Sequence, residues 1–252
     1  MPDGRDIVYL YDGSFDGLLT AIFESYYRRE TPLEIAEAGQ MAQQALLWED
    51  TAIQTDLEKA ERVAAGVRKK IGGEALENLY YAYLSDEPGR GRLCLDYVRT
   101  GFRLGAKMDA YLMLDCVARV LDAGRRVRGE AHQYMGFVRF AELEGGIYYS
   151  EIEPKCQVLP LLAPHFQARL PQMPWMIHDV GRRQCMVYNG RELYLTSTDG
   201  VPAVRYTAEE RQYRKLWREF YRTVEIRQRH NERCRMNHMP KRFWRFLPEM
   251  EA

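Results

Sequence analysis

No two of the five cysteines (Cys94, Cys116, Cys156, Cys185, Cys234) form a CxxC pair. The sequence therefore offers neither an iron–sulfur nor a zinc-ribbon spacing, and an odd, scattered set suits reduced thiols better than a disulfide framework. The five histidines (His132, His165, His178, His230, His238) give no HxxxH and no HxE followed by CxxC, which argues against a zinc site, the deaminase type included. No run of eighteen apolar residues is present to cross a bilayer. The opening MPDGRDIVYLYDG has neither the basic nor the apolar segment of a signal peptide, so a soluble cytoplasmic protein with no membrane partner is expected. Net charge is also missing, because 36 basic and 36 acidic residues cancel, and a uniformly basic DNA coat is excluded. What is present, 46% hydrophobic and 29% charged residues over 252 positions, is globular composition with length enough for one large domain.

The zero is an average. Residues 1 to 88 carry 8 basic and 17 acidic side chains, residues 89 to 204 carry 15 and 12, and residues 205 to 252 carry 13 and 7, giving −9, +3 and +6. One end is acidic and the other basic.

Ile7 to Tyr11 is a β-rich run closed by Asp12-Gly13. Ser14 follows as an N-cap, and Leu18, Leu19, Ile22, Phe23 and Tyr26 then recur at helical spacing. From 31 to about 47 the pattern reads as a connecting loop, with a short strand at 51 to 54. Thr55 with Glu58 forms a capping box for a helix over 56–71, and a second helix is expected over 74–85. Two more helices follow the Gly89-Arg-Gly91 turn, the second presenting Leu114, Val117, Ala118 and Leu121 to the core. Past Met135 the period shortens. Strands at 137–143 and 147–152 flank Gly145-Gly146, a two-residue hairpin signal, a strand is expected at Trp175 to His178, and strands at 185–188 and 192–196 flank Asn189-Gly190, which predicts a type I′ turn.

The fold class is α+β: a helix-rich amino-terminal half, a central antiparallel sheet of about five strands, and a basic carboxyl-terminal helix packed against it. The chain reads as a single unit over 1–252 with sub-parts 1–131 and 132–252.

That last helix opens with Thr207 and Glu210 as a capping box and sets Tyr213, Leu216, Trp217, Phe220 and Val224 on a face read as core. Opposite them, Lys215, Arg218, Arg222 and Arg229 fall 4, 7, 11 and 18 residues after Arg211, a narrow cationic stripe at about 100° per residue. The tail adds Arg233, Arg235, Lys241, Arg242 and Arg245, with Phe243, Trp244 and Phe246 interleaved. Cations that neutralise phosphates beside rings that stack on bases are what a nucleic-acid surface needs; a solvated helix face and a tail docked into the core is the plainer account. Arg139, alone among apolar neighbours in a strand, needs an acid such as Glu151 or Glu153, or a phosphate. At the first strand's end Asp12, Ser14 and Asp16 form a possible loop site. The two carboxylates suit a magnesium ion in principle, while turn chemistry and a negative charge in the first helical turn explain them more simply. DGSFDG lacks the lysine of a Walker A loop and the third glycine of GxGxxG. Nothing marks Cys185 and His178 as an activated pair. No catalytic residue and no metal site is assigned.

Several segments together resemble a bacterial family associated with DNA metabolism and repair: YDGSFDGLLTAIFESY at 11 to 26, TDLEKAERV at 55 to 63, EAHQYMGFVRFAEL at 130 to 143, the EIEP and LLAPHFQARLP stretches, and RMNHMPKRFWRFLPE at 235 to 249. The matched positions are Asp12, Gly13, Ser14, Phe15, Gly17, Phe137, Arg139, Phe140, Met239, Pro240, Lys241, Arg242, Phe243 and Trp244, and residues 36 to 50 depart from the pattern. The resemblance implies a companion of a radical SAM protein acting in DNA repair or modification, and a carboxyl-terminal half similar to a module fused to uracil-DNA glycosylase-like domains. It gives a setting and no mechanism. With no CxxxCxxC here, any Fe–S cluster and SAM belong to the partner.

The expected function is a DNA-binding accessory protein that holds DNA through Arg139, Arg211, Lys215, Arg218, Arg222, Arg235, Lys241, Arg242, Trp244 and Arg245 and presents it to that partner. Two alternatives are a metal-dependent nuclease or glycosylase-like enzyme using Asp12 and Asp16, and a purely structural interaction subunit.

Overall fold

Ile7–Tyr11, rich in β-branched and aromatic residues, forms β1 and buries Val8, Tyr9 and Tyr11, the pattern of a strand covered on both faces. Here and throughout, the structure is a computed structural model that describes residues 7–39, 49–198, 204–224, 226, 228 and 231–250. The chain divides into two compact units, 1–128 and 129–252.

In the first unit β1 is the central strand of a three-stranded sheet ordered β2-β1-β3, with both neighbours parallel to it. Ser14 caps α1 (Phe15–Tyr27) by accepting from the Gly17 amide, and the helix buries Leu18, Leu19 and Ile22. β2 (Glu34–Glu37) lies inside the expected loop. Of its four residues only Ile35 is buried, so its composition does not announce a strand, and the open edge of β1 supplies the ladder instead. The remainder of that expected loop, 40–48, falls outside the described residues. β3 is Glu49–Ala52, overlapping the expected 51–54. Helices α2 (Leu57–Lys70), α3 (Gly73–Leu84) and α4 (Arg90–Leu104) follow. The cap of α2 is Asp56, whose carboxylate accepts from the Glu58 and Lys59 amides; Thr55 is drawn away to Asp12, which corrects the capping box. α4 crosses β2 so closely that a Cβ on Gly91 would lie 2.0 Å from the Ile35 carbonyl oxygen.

α5 (Asp115–Phe137) begins in the first unit and ends in the second. Its buried face is Val117, Val120, Ala123, Val127, Ala131 and Tyr134. Of the expected face only Val117 belongs to it, because a helix of 23 residues sets its contact stripe over its whole length and not by its first two turns. The helix also absorbs Phe137, which leaves the expected strand 137–143 as β4 (Ala141–Glu142).

The second unit holds a five-stranded sheet, β4-β5-β6-β7-β8, with β5 Tyr148–Ile152, β6 Trp175–Asp179, β7 Gln184–Tyr188 and β8 Leu193–Ser197. The α+β architecture with five strands in the middle is as expected. One pairing is not antiparallel: β5 and β6 run parallel, because the connection between them carries α6 (Leu159–Arg169) and forms a crossover. The β7–β8 loop also differs from expectation. Tyr188 pairs with Leu193, so the loop has four residues. The Asn189 side chain accepts from the Arg191 and Glu192 amides, and Gly190 alone in the loop has a positive φ (91°). The asparagine side chain closes the turn that two positive φ angles would otherwise have made.

Candidate nucleic-acid interface

α7 (Ala208–Thr223) is capped by Thr207, whose hydroxyl accepts from the Glu210 amide at 3.0 Å. The reciprocal half of the expected capping box is absent. The Thr207 amide donates to the Glu142 carbonyl, and the Glu210 carboxylate accepts from the Glu142 amide at 3.2 Å, so these bonds moor the helix start to β4.

Beyond that mooring α7 buries no residue. Arg211, Lys215, Arg218 and Arg222 project within about 60° of one another, and Tyr213, Leu216, Trp217, Phe220 and Val224 project oppositely. Tyr213 is 70% exposed and Trp217 42%, with Leu216, Phe220 and Val224 also exposed. The face read from sequence as core therefore lies open to solvent: the periodicity marks an amphipathic helix truly, but the contact strip runs along its side, through Glu210, Arg214 and Tyr221. Arg211, Lys215 and Arg222 are exposed and have no ion-pair partner among the described residues; Arg218 is half-buried. Arg229 lies outside the described residues.

The aromatic row ends in a built notch. Trp217 and Phe220 rings stand 5.7 Å apart, tilted by 30°. The Trp217 indole N–H donates to Glu249 at 3.0 Å, and Arg139 meets the other oxygen of the same carboxylate at 3.1 Å. The Glu249 side chain is 3% exposed. Phe140, Tyr213, Trp217 and Pro248 wall a cavity of about 400 Å³, with Arg139, Arg214 and Glu210 also lining it. Arg139 thus sits in the connection after α5 and pairs with Glu249. Glu153 is taken by Arg245 at 2.7 Å and Glu151 by the Tyr149 hydroxyl at 2.9 Å, which corrects the expected strand position and partner.

The remaining basic candidates belong to α8 (Glu232–His238) and the 3-10 turn Lys241–Phe246. Arg235 pairs with Glu232, and both Arg235 and Lys241 lie over the Trp244 ring, at 4.9 and 5.7 Å. Trp244 donates to the Met239 carbonyl. Arg242 pairs with the buried Glu130 at 2.9 Å, and Phe243 is core at 1% exposure. The tail's cations are largely engaged in holding their own unit together; Arg211, Lys215 and Arg222 of α7 have no ion-pair partner among the described residues. Sequence reasoning gave Glu249 and Pro248 no role, named Phe140 only as a motif position and read Tyr213 as core. The signal that could have found them was a lone acid closing a tail of cations, and an aromatic helix face too ring-rich for its length.

Residues 88–249 match a domain of unknown function, DUF4130. The chain belongs to that family. The DUF4130 span takes in α4, α5, the five-stranded sheet, α7 and the notch, and it leaves β1 and the Asp12 loop outside. No curated protein and no solved structure matches the chain.

In the loop outside the DUF4130 span, Asp12 accepts from the Ser14 amide (2.9 Å) and hydroxyl (2.6 Å) through one oxygen and from Thr55 (2.8 Å) through the other. Burial works to raise its carboxyl, and the bonds from Ser14 and Thr55 outweigh that and hold it below the usual carboxylate range. Asp16 is exposed in the first turn of α1. Among the described residues no group of three His, Cys, Asp or Glu side chains is placed to hold a metal ion. Cys185 and His178 are cross-strand neighbours, but burial pushes the thiol up to about 11 and His178 Nδ1 bonds to the Tyr149 hydroxyl at 2.7 Å. No described helix is long and apolar enough to cross a membrane.

Counted by unit, the charge balance narrows. Residues 1–128 hold 17 basic and 21 acidic side chains, −4, and residues 129–252 hold 19 and 15, +4. The acidic front is met inside its own unit, as where Glu87 takes both Arg119 and Arg126.

Proposed function

We propose that this chain is a DNA-binding accessory protein that holds DNA through α7 and presents it to a partner enzyme in DNA repair or modification, the partner being a radical SAM protein that carries the Fe–S cluster and SAM. The observation that carries the DNA contact is Arg211, Lys215 and Arg222, three exposed cations in one row on a helix that buries nothing. Such a row neutralises consecutive phosphates and gains from the counterions they release. The +4 balance of the second unit supports the same reading, and the resemblance of the RMNHMPKRFWRFLPE segment supplies the repair setting and the partner.

The test is fluorescence anisotropy with labelled DNA over a salt series. Replacing Arg211, Lys215 and Arg222 together by Ala should weaken binding across sequences and lower the slope of log K against log salt by about 0.9 for each phosphate no longer neutralised. An unchanged affinity and slope would overturn the reading. The partner is tested separately, by co-purification of the chain with the radical SAM protein.

A further inference from the structure

A cavity of about 670 Å³ in the first unit carries charge of the opposite sign to its surroundings. Residues 1–128 sum to −4, yet three arginines, Arg29, Arg99 and Arg103, line this cavity against a single acid, Asp96, and Arg92 already meets that acid at 2.9 Å. Arg29 and Arg103 are exposed and have no ion-pair partner among the described residues. Arg99 is held in place: its guanidinium donates to the Thr31 hydroxyl at 2.8 Å and to the Glu30 carbonyl at 2.6 Å, neutral acceptors that fix it without cancelling its charge. Tyr26 and Phe102 add an aromatic wall, their ring centroids 5.9 Å apart. Burial pushes the Tyr26 hydroxyl up, and Arg99 and Arg103 work against it, so two of the guanidiniums act on one point of that wall. The backbone adds a further sign. Arg29 follows α1 with φ 58°, the left-handed position at a helix end where glycine is the usual residue, so closing the helix gives no reason for an arginine there.

We propose that this cavity binds a terminal phosphate monoester through Arg29, Arg99 and Arg103, at a site separate from α7 and independent of the DNA-binding reading. Three arginines against one aspartate leave +2 on the lining. A phosphate monoester carries nearly two negative charges at neutral pH and presents three acceptor oxygens, which suits three guanidinium forks. A carboxylate brings one charge and two oxygens, and a phosphodiester inside a DNA strand brings one charge. The volume falls within the range of about 300–1,000 Å³ usual for small-ligand sites, so the organic part of the ester has room beside Tyr26 and Phe102.

The test is calorimetric titration of the full-length chain with dTMP and with thymidine, which differ by the phosphate alone. The wild type should bind dTMP and take up no thymidine at the same concentrations. Arg29→Gly and Arg103→Ala should each weaken dTMP about tenfold, the scale of one lost hydrogen bond between charged groups. Arg29→Gly also separates binding from folding: glycine suits the left-handed backbone, so its thermal midpoint should equal or exceed that of the wild type while its affinity falls. A second arm compares 5′-phosphorylated oligo(dT) with its 5′-hydroxyl twin by anisotropy. A preference for the phosphorylated strand that Arg29→Gly abolishes assigns the phosphate to a DNA end, and dTMP binding without that preference assigns it to a free ester. Absence of both dTMP binding and the end preference overturns the proposal. So does thymidine binding as tight as that of dTMP, which would credit the rings, or dTMP affinity unchanged in both variants. None of these outcomes touches the DNA-binding reading, because Arg211, Lys215 and Arg222 are intact in every protein compared.

Discussion

Arg242 reaches the carboxylate of Glu130 at 2.9 Å, and that carboxylate, buried at 6% exposure, also accepts the amides of Lys155 and Cys156 at 3.1 and 2.7 Å. One arginine of the basic tail therefore neutralises a charge inside the second unit. Arg242→Ala leaves Glu130 buried with its amide bonds but without its cation, which should cost about 2 kcal/mol, below the usual penalty for breaking a buried pair because the amides remain. Urea unfolding checks it: a shift under about 0.5 kcal/mol, the size of an ordinary surface substitution, would show that the pair is not structural. Any drop in DNA affinity in this variant must be read against its stability.

The open face of α7 has the opposite signature. Leu216 is 58% exposed, so Leu216→Lys should change stability by no more than about 0.5 kcal/mol. A buried leucine in a core helix would lose several times that. Thermal unfolding of the full chain decides between them.

Two glycines on helices should answer oppositely to alanine. At Gly91 the new Cβ would sit 2.0 Å from the Ile35 carbonyl oxygen, a backbone atom that cannot swing aside, and a loss of about 2 kcal/mol or more is expected. At Gly129 in α5 nothing lies within 4 Å, and Gly129→Ala should gain about 0.5–1 kcal/mol from helix propensity. Denaturant midpoints of the two variants, moving in opposite directions, are the expected result.

In the first unit Glu24, 7% exposed, lies 2.9 Å from Arg28 and 2.8 Å from Lys59. Burial raises its carboxyl, but the two cations outweigh burial and hold it below the usual range. A folded pKa below the unfolded one adds stability that is present above the ordinary glutamate value of ~4.3 and is lost as pH falls through the folded pKa. Glu24→Gln should therefore be less stable than wild type by about 1 kcal/mol at pH 7, and the two should converge below about pH 4. A gap that stays constant as pH falls from neutral through that range would contradict it.

Local chemistry is legible from the residues: Ser14 and Thr207 cap the helices they are expected to cap, and the Gly145-Gly146 hairpin and the strand at Trp175 are visible as patterns. What spacing cannot convey is who stands opposite whom. Nothing in β2 beyond Ile35 distinguishes it from a loop, because its ladder partner is about 26 residues away. Asp56 displaces Thr55 as a cap only because Asp12, distant in sequence, claims the threonine hydroxyl. The basic stripe is visible as a stripe, while the aromatic face is drawn wrongly into the core, since periodicity reports amphipathicity and is silent on whether a partner arrives. Arg139 plainly needs an acid, and that acid stands 110 residues on, beyond any spacing rule.

The order β2-β1-β3 also sets a timetable. β1 ends at residue 11, and the strand that closes its second edge begins at residue 49. At ~5–20 residues per second on the ribosome, the most buried strand of the first unit waits several seconds with an unpaired, apolar edge. A chain that stops before residue 49 keeps that edge for good, and the expected fate of such a fragment is aggregation.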